Sequence, residues 1–109
     1  MKFDTDKIFK AIAERKRREI LALLVGASSA LNISDISTHF DDSRQAVTKH
    51  IKQLEDAGLI LVEKEGREGK CKANPQALFV VHQWLQTYEK FWKGKLDDLD
   101  SFLNVDGNA

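Results

Sequence analysis

Arg44, Gln45, Thr48 and Lys49 fall at positions i, i+1, i+4 and i+5, which on a helix gathers all four on one side. Their chemistry is recognition, not bond making. Arginine and lysine donate to guanine, glutamine bonds adenine in a bidentate fashion, and a threonine methyl touches thymine. Ser43 stands just before them, where a hydroxyl and the free N–H groups of a helix start favour a phosphate. Lys52 lies a turn further on, and His50 adjoins the same segment as a phosphate ligand or a structural hydrogen-bonder. Arg67 and Lys70, later in the chain, carry the charge to hold phosphates as well.

Other reactive side chains are few and scattered. Cys71 is the sole cysteine, so no internal disulfide can form. Lys70 and Lys72 flank it and would lower its pKa if they reached the sulfur, making a thiol switch. On a strand, however, neighbours alternate faces, and an inward Cys71 would be a small buried residue. His39, His50 and His82 are dispersed, and with one cysteine they do not make a tetrahedral metal site. Asp97, Asp98 and Asp100 resemble a carboxylate cluster, but adjacent helical residues point apart and a solvated tail accounts for them. There is no phosphate-cradling glycine loop, no GxSxG elbow and no HExxH pair. No enzyme, metal or cofactor is expected.

A chain of 109 residues with 42% hydrophobic content fits one domain with a modest core. No apolar run is long enough for a signal peptide or a membrane span, which implies a cytoplasmic protein with no membrane partner. Seventeen basic and 17 acidic residues cancel to a formal net charge of +0. Their distribution is uneven: residues 43–54 hold Arg44, Lys49 and Lys52 without a carboxylate, Arg15, Lys16, Arg17 and Arg18 form a second basic cluster, and the C-terminal stretch is acidic. Such separation is compatible with DNA on one face. The zero sum keeps a different reading open, a protein-interaction module that never touches DNA.

The elements that must position these residues follow from periodicity. Ile8, Phe9, Ile12 and Ala13 recur at helical spacing after Thr5, an expected N-cap. Ile20, Leu21, Leu23 and Leu24 form a second stripe that ends before a Gly-Ala-Ser-Ser loop. A short helix over 33–40 should start from Asn32, with Asp35 three residues on as a capping-box variant. After an Asp41-Asp42 turn, Ser43 caps a helix that runs to Ala57, with Val47, Ile51 and Leu54 inward and Gly58 as its left-handed terminator. Residues 59–64 and 70–73 read as a hairpin with its tip over 65–69. Asn74-Pro75 then opens one long helix to Leu103. At 1.5 Å per residue, about 29 residues span roughly 43 Å, more than so small a domain can cover. The uncovered stripe therefore needs a second chain. The expected homodimer interface comprises Ile8 and Phe9 with Leu85, Tyr88, Trp92, Leu96, Leu99 and Leu103. The predicted fold is mainly α with a small β-hairpin wing, a winged helix-turn-helix with a long C-terminal dimerisation helix, as one domain over 1–103 with a frayed tail over 104–109.

The stretch SRQAVTKHIKQLEDAGLI, residues 43–60, resembles the recognition-helix signature of ArsR-type repressors, in which a serine, a basic residue and a Lys-His pair precede Leu-x-x-Ala-Gly-Leu. The resemblance extends to IFKAIAERKRREILALL (8–24), EGREGKCKANPQAL (65–78) and WLQTYEKFWKGKLDDLDSFL (84–103), and so covers nearly the whole chain. The long Trp-Leu…Tyr…Phe-Trp helix is similar to a non-metal-sensing subgroup. The resemblance implies a homodimeric repressor on double-stranded DNA, at a palindromic operator of its own or a neighbouring operon, with the effector unknown. Family metal sensors carry a cysteine pair on the helix over 33–40, or paired Asp and His along the last helix, and neither is present. Two other departures bear on structure. Glu14-Arg15-Lys16 replaces the family's Asp-Pro-Thr, which predicts that the first two helices run closer to continuous. Cys71 and Ala73 stand where the family favours an aromatic and a leucine, which predicts loose packing under the wing unless Leu61 or a neighbour fills the space.

Overall fold

A carboxylate, not the expected hydroxyl, opens the first helix. In the computed structural model, which describes residues 3–107 and side chains through 103, Asp4 Oδ1 accepts from the backbone N–H of Asp6 at 3.0 Å and of Lys7 at 3.2 Å. Thr5 is thus the first residue of α1 (Thr5–Ile12), not its cap. An anion at this end satisfies free donors and meets the positive end of the helix dipole, worth about 1 kcal/mol.

Without a proline, α1 still ends cleanly before α2 (Arg15–Gly26), against the expectation of a near-continuous helix. Glu14 turns extended and its carboxylate accepts from the Lys16 N–H at 3.4 Å. The other half of the break is made by two arginines folding back onto the last carbonyls of α1. Arg17 Nε donates to Ala11 O at 2.6 Å and Nη2 to Lys10 O at 3.2 Å, while Arg18 Nη1 reaches Ile12 O at 2.8 Å and Ala13 O at 3.0 Å. Carbonyls that a continuing helix would have used are satisfied by side chains instead.

Next comes a strand too short for periodicity to reveal, β1 (Leu31–Asn32). Asn32 then caps α3 (Ile33–Ser37), its Oδ1 accepting from Asp35 N–H at 2.7 Å. This helix is shorter than expected, because His39 and Phe40 bond three residues back, to Ile36 and Ser37, and tighten into a turn. Ser43 Oγ accepts from Ala46 N–H at 3.1 Å and starts α4 (Arg44–Asp56). Its far end closes in a paired motif: Leu59 N–H bonds Leu54 O at 3.0 Å and Gly58 N–H bonds Glu55 O at 2.9 Å, with Gly58 at φ 80.

The chain returns through β2 (Ile60–Glu65) and β3 (Glu68–Ala73), giving a three-stranded antiparallel sheet of order β1-β3-β2. Gly66, at φ 63, is the left-handed residue of the two-residue turn, and Arg67 beside it is not, which is the type II′ pattern. Register places Leu31 and Val62 on either side of Cys71, all facing the core. Those two fill the space beneath the small Cys71. Leu61 does not, since it pairs with Lys72 on the other face and is exposed.

Buried Asn74 ties the sheet to the last helices: its Nδ2 donates to Gly58 O at 2.9 Å and its Oδ1 caps α5 (Pro75–Gln86). The single long helix expected over 75–103 is in fact α5 and α6 (Glu89–Gly107). Thr87 and Tyr88 bond three residues back, to Trp84 and Leu85, before Trp92 resumes the normal step to Tyr88. A β-branched and an aromatic residue in succession are weak helix formers, and the tightened turn falls on them. Backbone over 104–107 stays helical where a frayed tail was expected; 108 and 109 lie outside the described residues. Ile8, Ile20, Ile36, Val47, Leu54, Leu59 and Ile60 form the centre of the core, each stabilising by about 1.5–3 kcal/mol. Among the described residues none of α6 joins that core. The molecule measures 63 × 33 × 23 Å with a radius of gyration of 18.3 Å, against about 13 Å for a compact domain of this length.

Candidate nucleic-acid interface

α3 braces the inner face of α4, where Val47, Ile51 and Leu54 are buried. The outer face is left with Arg44, Gln45, Thr48, Lys49 and Lys52, all exposed. Ser43, Arg44, Gln45 and Thr48 line one shallow hollow at the N-terminal end. The Ser43 oxygen is engaged in capping, which leaves its O–H free to donate. Thr48 Oγ1 donates to Arg44 O at 2.8 Å, so its hydroxyl hydrogen is used inside the helix while the methyl stays available for apolar contact. Lys52 lies 3.6 Å from Asp56 Oδ1, an exposed pair that screening weakens.

The turn that aims α4 is pinned from α2. Lys16 Nζ sits 2.9 Å from Asp42 Oδ1 and 4.9 Å from the centre of the Phe40 ring. The hydrogen bond from Lys16 holds the Asp42 carboxyl below its ordinary range, and the same bond raises the Lys16 ammonium. Arg15 pairs with Glu19 at 3.0 Å. The basic cluster over 15–18 is therefore bound up in the scaffold: one ion pair on its own helix, one pin on the turn, and two arginines closing α1.

His50 belongs to that scaffold too. It is half-buried, and its Nδ1 lies 3.5 Å from Arg17 Nη1, on the flank of α4 that faces the α1–α2 junction. The structure thus separates it from the exposed cations it was grouped with. On the wing, Arg67 is exposed at the turn, whereas Lys70 is half-buried between Glu63 and Asn32 in register. Glu68 accepts from Asn32 Nδ2 at 3.1 Å. Three glutamates, Glu63, Glu65 and Glu68, dilute the wing's positive charge, a feature that attention to the cations alone missed.

The residues expected at a dimer interface divide. Ile8 is 0% exposed and lies inside its own domain, so it is a core residue and presents nothing to a second chain. Phe9 is half-buried, its ring 5.0 Å from Trp84, which in turn lies 5.2 Å from Tyr88. This edge-to-face chain connects α1 to the junction of α5 and α6. Leu85, Tyr88, Trp92, Leu96, Leu99 and Leu103 are all exposed.

Cys71 is completely buried. Burial pushes its thiol above the usual range, and the Glu55 charge adds to the effect. Lys70 and Lys72, on the other sheet face, do not oppose this. Among the described residues, no three His, Cys, Asp or Glu side chains stand together to hold a metal ion, and no helix is long and apolar enough to cross a membrane.

Known proteins share this arrangement. The helix-turn-helix domain family matches residues 12–63. The transcriptional repressor SdpR of Bacillus subtilis is 34% identical over 83 residues, covering 76% of this chain and 90% of the relative. The crystal structure of an ArsR family transcriptional regulator superposes with a TM-score of 0.72 at 30% identity, over 82% of this chain and 90% of that one. A solution structure described as a homodimeric winged helix-turn-helix DNA-binding domain, from Mycobacterium bovis, gives a TM-score of 0.62 at 22% identity, over 77% and 79%. With the capped α4, its brace, the glycine-turned wing and the terminal helices all in place, the chain belongs to the ArsR family of winged helix-turn-helix transcriptional regulators.

Proposed function

We propose that the protein is a homodimeric, metal-independent cytoplasmic repressor that occludes a palindromic operator of its own or a neighbouring operon. The observation that carries the reading is the outer face of α4, where Arg44, Gln45, Thr48 and Lys49 are exposed on a helix whose other side is locked into the core. These four read base edges in the major groove. Ser43, Lys52 and Arg67 hold phosphates, and Lys70 contributes less because Glu63 stands beside it in the sheet. Two copies joined through the exposed stripe of α5 and α6 put their recognition helices on successive major grooves, about 34 Å apart. The homodimeric relative from Mycobacterium bovis supports the two-copy form.

Selection of bound fragments from random DNA tests the proposal. The expected product is a palindromic consensus with half-sites one helical turn apart, bound less tightly as salt rises. A pool that stays random after repeated rounds at low salt would overturn it.

A further inference from the structure

Asn32 performs two tasks with one amide. Its Oδ1 accepts from the Asp35 N–H at 2.7 Å and caps α3, while its Nδ2 donates to Glu68 Oε2 at 3.1 Å. Aspartate would cap the helix as well, but it has no hydrogen to give a carboxylate. With the oxygen committed to the cap, the NH2 group is turned toward the wing.

The bond reaches the wing where backbone support runs out. β1 ends at Asn32, paired with Lys70, because Ile33 already belongs to α3. Residues 68 and 69 of β3 therefore pair with β2 alone, and the Gly66-Arg67 turn lies beyond them. Glu68 stands diagonal to Asn32 on the outer sheet face, two residues from Lys70 and directly opposite Glu65. The like charge of Glu65 repels it from the β2 side, and the Asn32 amide holds it on the other. Among the described residues, no other side-chain hydrogen bond or ion pair ties residues 64–69 to the rest of the protein. Since α3 braces α4, the link from the wing to the recognition helix runs through Glu68 and Asn32.

We propose that Glu68 is a positioning residue for DNA recognition: held by Asn32, it fixes the outer wing relative to α3 and α4, so that Arg67 meets a phosphate beside the groove that α4 reads. The proposal rests on the DNA-binding reading above and deepens it. Glu68 then has two opposed effects. Its charge, one residue from Arg67, repels the phosphate and weakens binding. Its hydrogen bond strengthens binding, because a wing already held in place has less freedom to lose.

Separating the charge from the hydrogen bond tests it. Fluorescence anisotropy measures affinity for the duplex enriched by selection and for random DNA, at several salt concentrations. Glu68→Gln loses the charge but keeps an acceptor, and should bind between wild-type affinity and about threefold tighter. Glu68→Ala loses both, and should bind about fivefold more weakly than Glu68→Gln, with a salt slope smaller by about one. Asn32→Asp keeps the cap and loses the donor, and should weaken binding by about fivefold or more. Adding Glu68→Gln to it swaps donor and acceptor across the same gap, and should restore affinity to within about threefold of wild type. Arg67→Ala should cost little further in the Glu68→Ala background, since its contact is already lost. Circular dichroism and urea midpoints should stay close to wild type throughout, because the bond is exposed. Glu68→Ala binding as tightly as Glu68→Gln leaves a charge effect alone and overturns the proposal, as does a full cost of Arg67→Ala in the Glu68→Ala background. Either result leaves the DNA-binding reading standing. A wild type that binds neither DNA removes both.

Discussion

Arg44 and Gln45, the proposed readers of base identity, are both exposed on the outer face of α4. Arg44→Ala or Gln45→Ala should cost about 1–3 kcal/mol on operator DNA and little on random DNA. Competition binding with both DNAs measures it, and equal loss on each would contradict the assignment. Arg67→Ala should weaken binding to any sequence and reduce the salt slope by about one. The α4 face was legible in the sequence because helical spacing alone separates Arg44, Gln45, Thr48 and Lys49 from Val47, Ile51 and Leu54. The uses of Arg17, Arg18 and His50 were not. A cation's sequence position does not tell whether it faces a phosphate or the carbonyls of a preceding helix, and only the close return of α2 against α1 decides. Cys71 is testable at this scale as well. With a buried thiol whose pKa is raised, it should react with a disulfide reagent at the rate of global opening, orders of magnitude slower than in denaturant. Rapid native labelling would restore the thiol-switch idea.

Two junctions between elements carry consequences that single residues do not. Gly58 terminates α4 at φ 80, and a Cβ there would come within 2.9 Å of the Phe3 ring. Gly58→Ala therefore faces both backbone strain and a clash, and should lose at least about 1 kcal/mol in urea unfolding. The Lys16–Asp42 pin predicts a pH signature. Asp42 has its pKa lowered by folding, so its contribution is present above the ordinary value of 3.8 and is lost as pH falls through the lower folded value. Lys16 is raised, so its share holds below 10.5 and is lost only as pH climbs past that. The difference in urea midpoint between wild type and Asp42→Asn should thus be flat from about pH 5 to 9 and shrink in stronger acid. A difference that grows in acid would assign Asp42 another role. Caps and turns at Asn32, Ser43, Gly58 and Pro75 were readable because their chemistry is local. The short β1, the break at Glu14 and the tightened turn at Thr87–Tyr88 were not, because pairing with β3, the arginine closures and hydrogen bonds that step three residues back leave no periodic trace.

At the scale of the molecule, α6 extends a small domain to 63 Å while leaving its apolar side in water. Burying that side against a second copy contributes to association, and association in turn multiplies DNA affinity, since a dimer engages two half-sites where a monomer engages one. Trp92→Asp separates these steps. Trp92 is 54% exposed, and its ring neighbour in its own chain is Phe91 on the same helix, so the change should barely alter the stability of the domain. A carboxylate in the apolar seam must be desolvated on dimerisation, which should raise the dimer dissociation constant by tenfold or more, about 1.4 kcal/mol at the least. Operator affinity should fall with it, while binding to a single half-site at saturating protein stays close to wild type. Sedimentation equilibrium and fluorescence anisotropy on full and half operators read the two effects separately. If Trp92→Asp stays dimeric, the seam lies elsewhere. If it becomes monomeric yet binds the full operator as before, the link from dimer to DNA fails, because the recognition helices would then be acting one at a time.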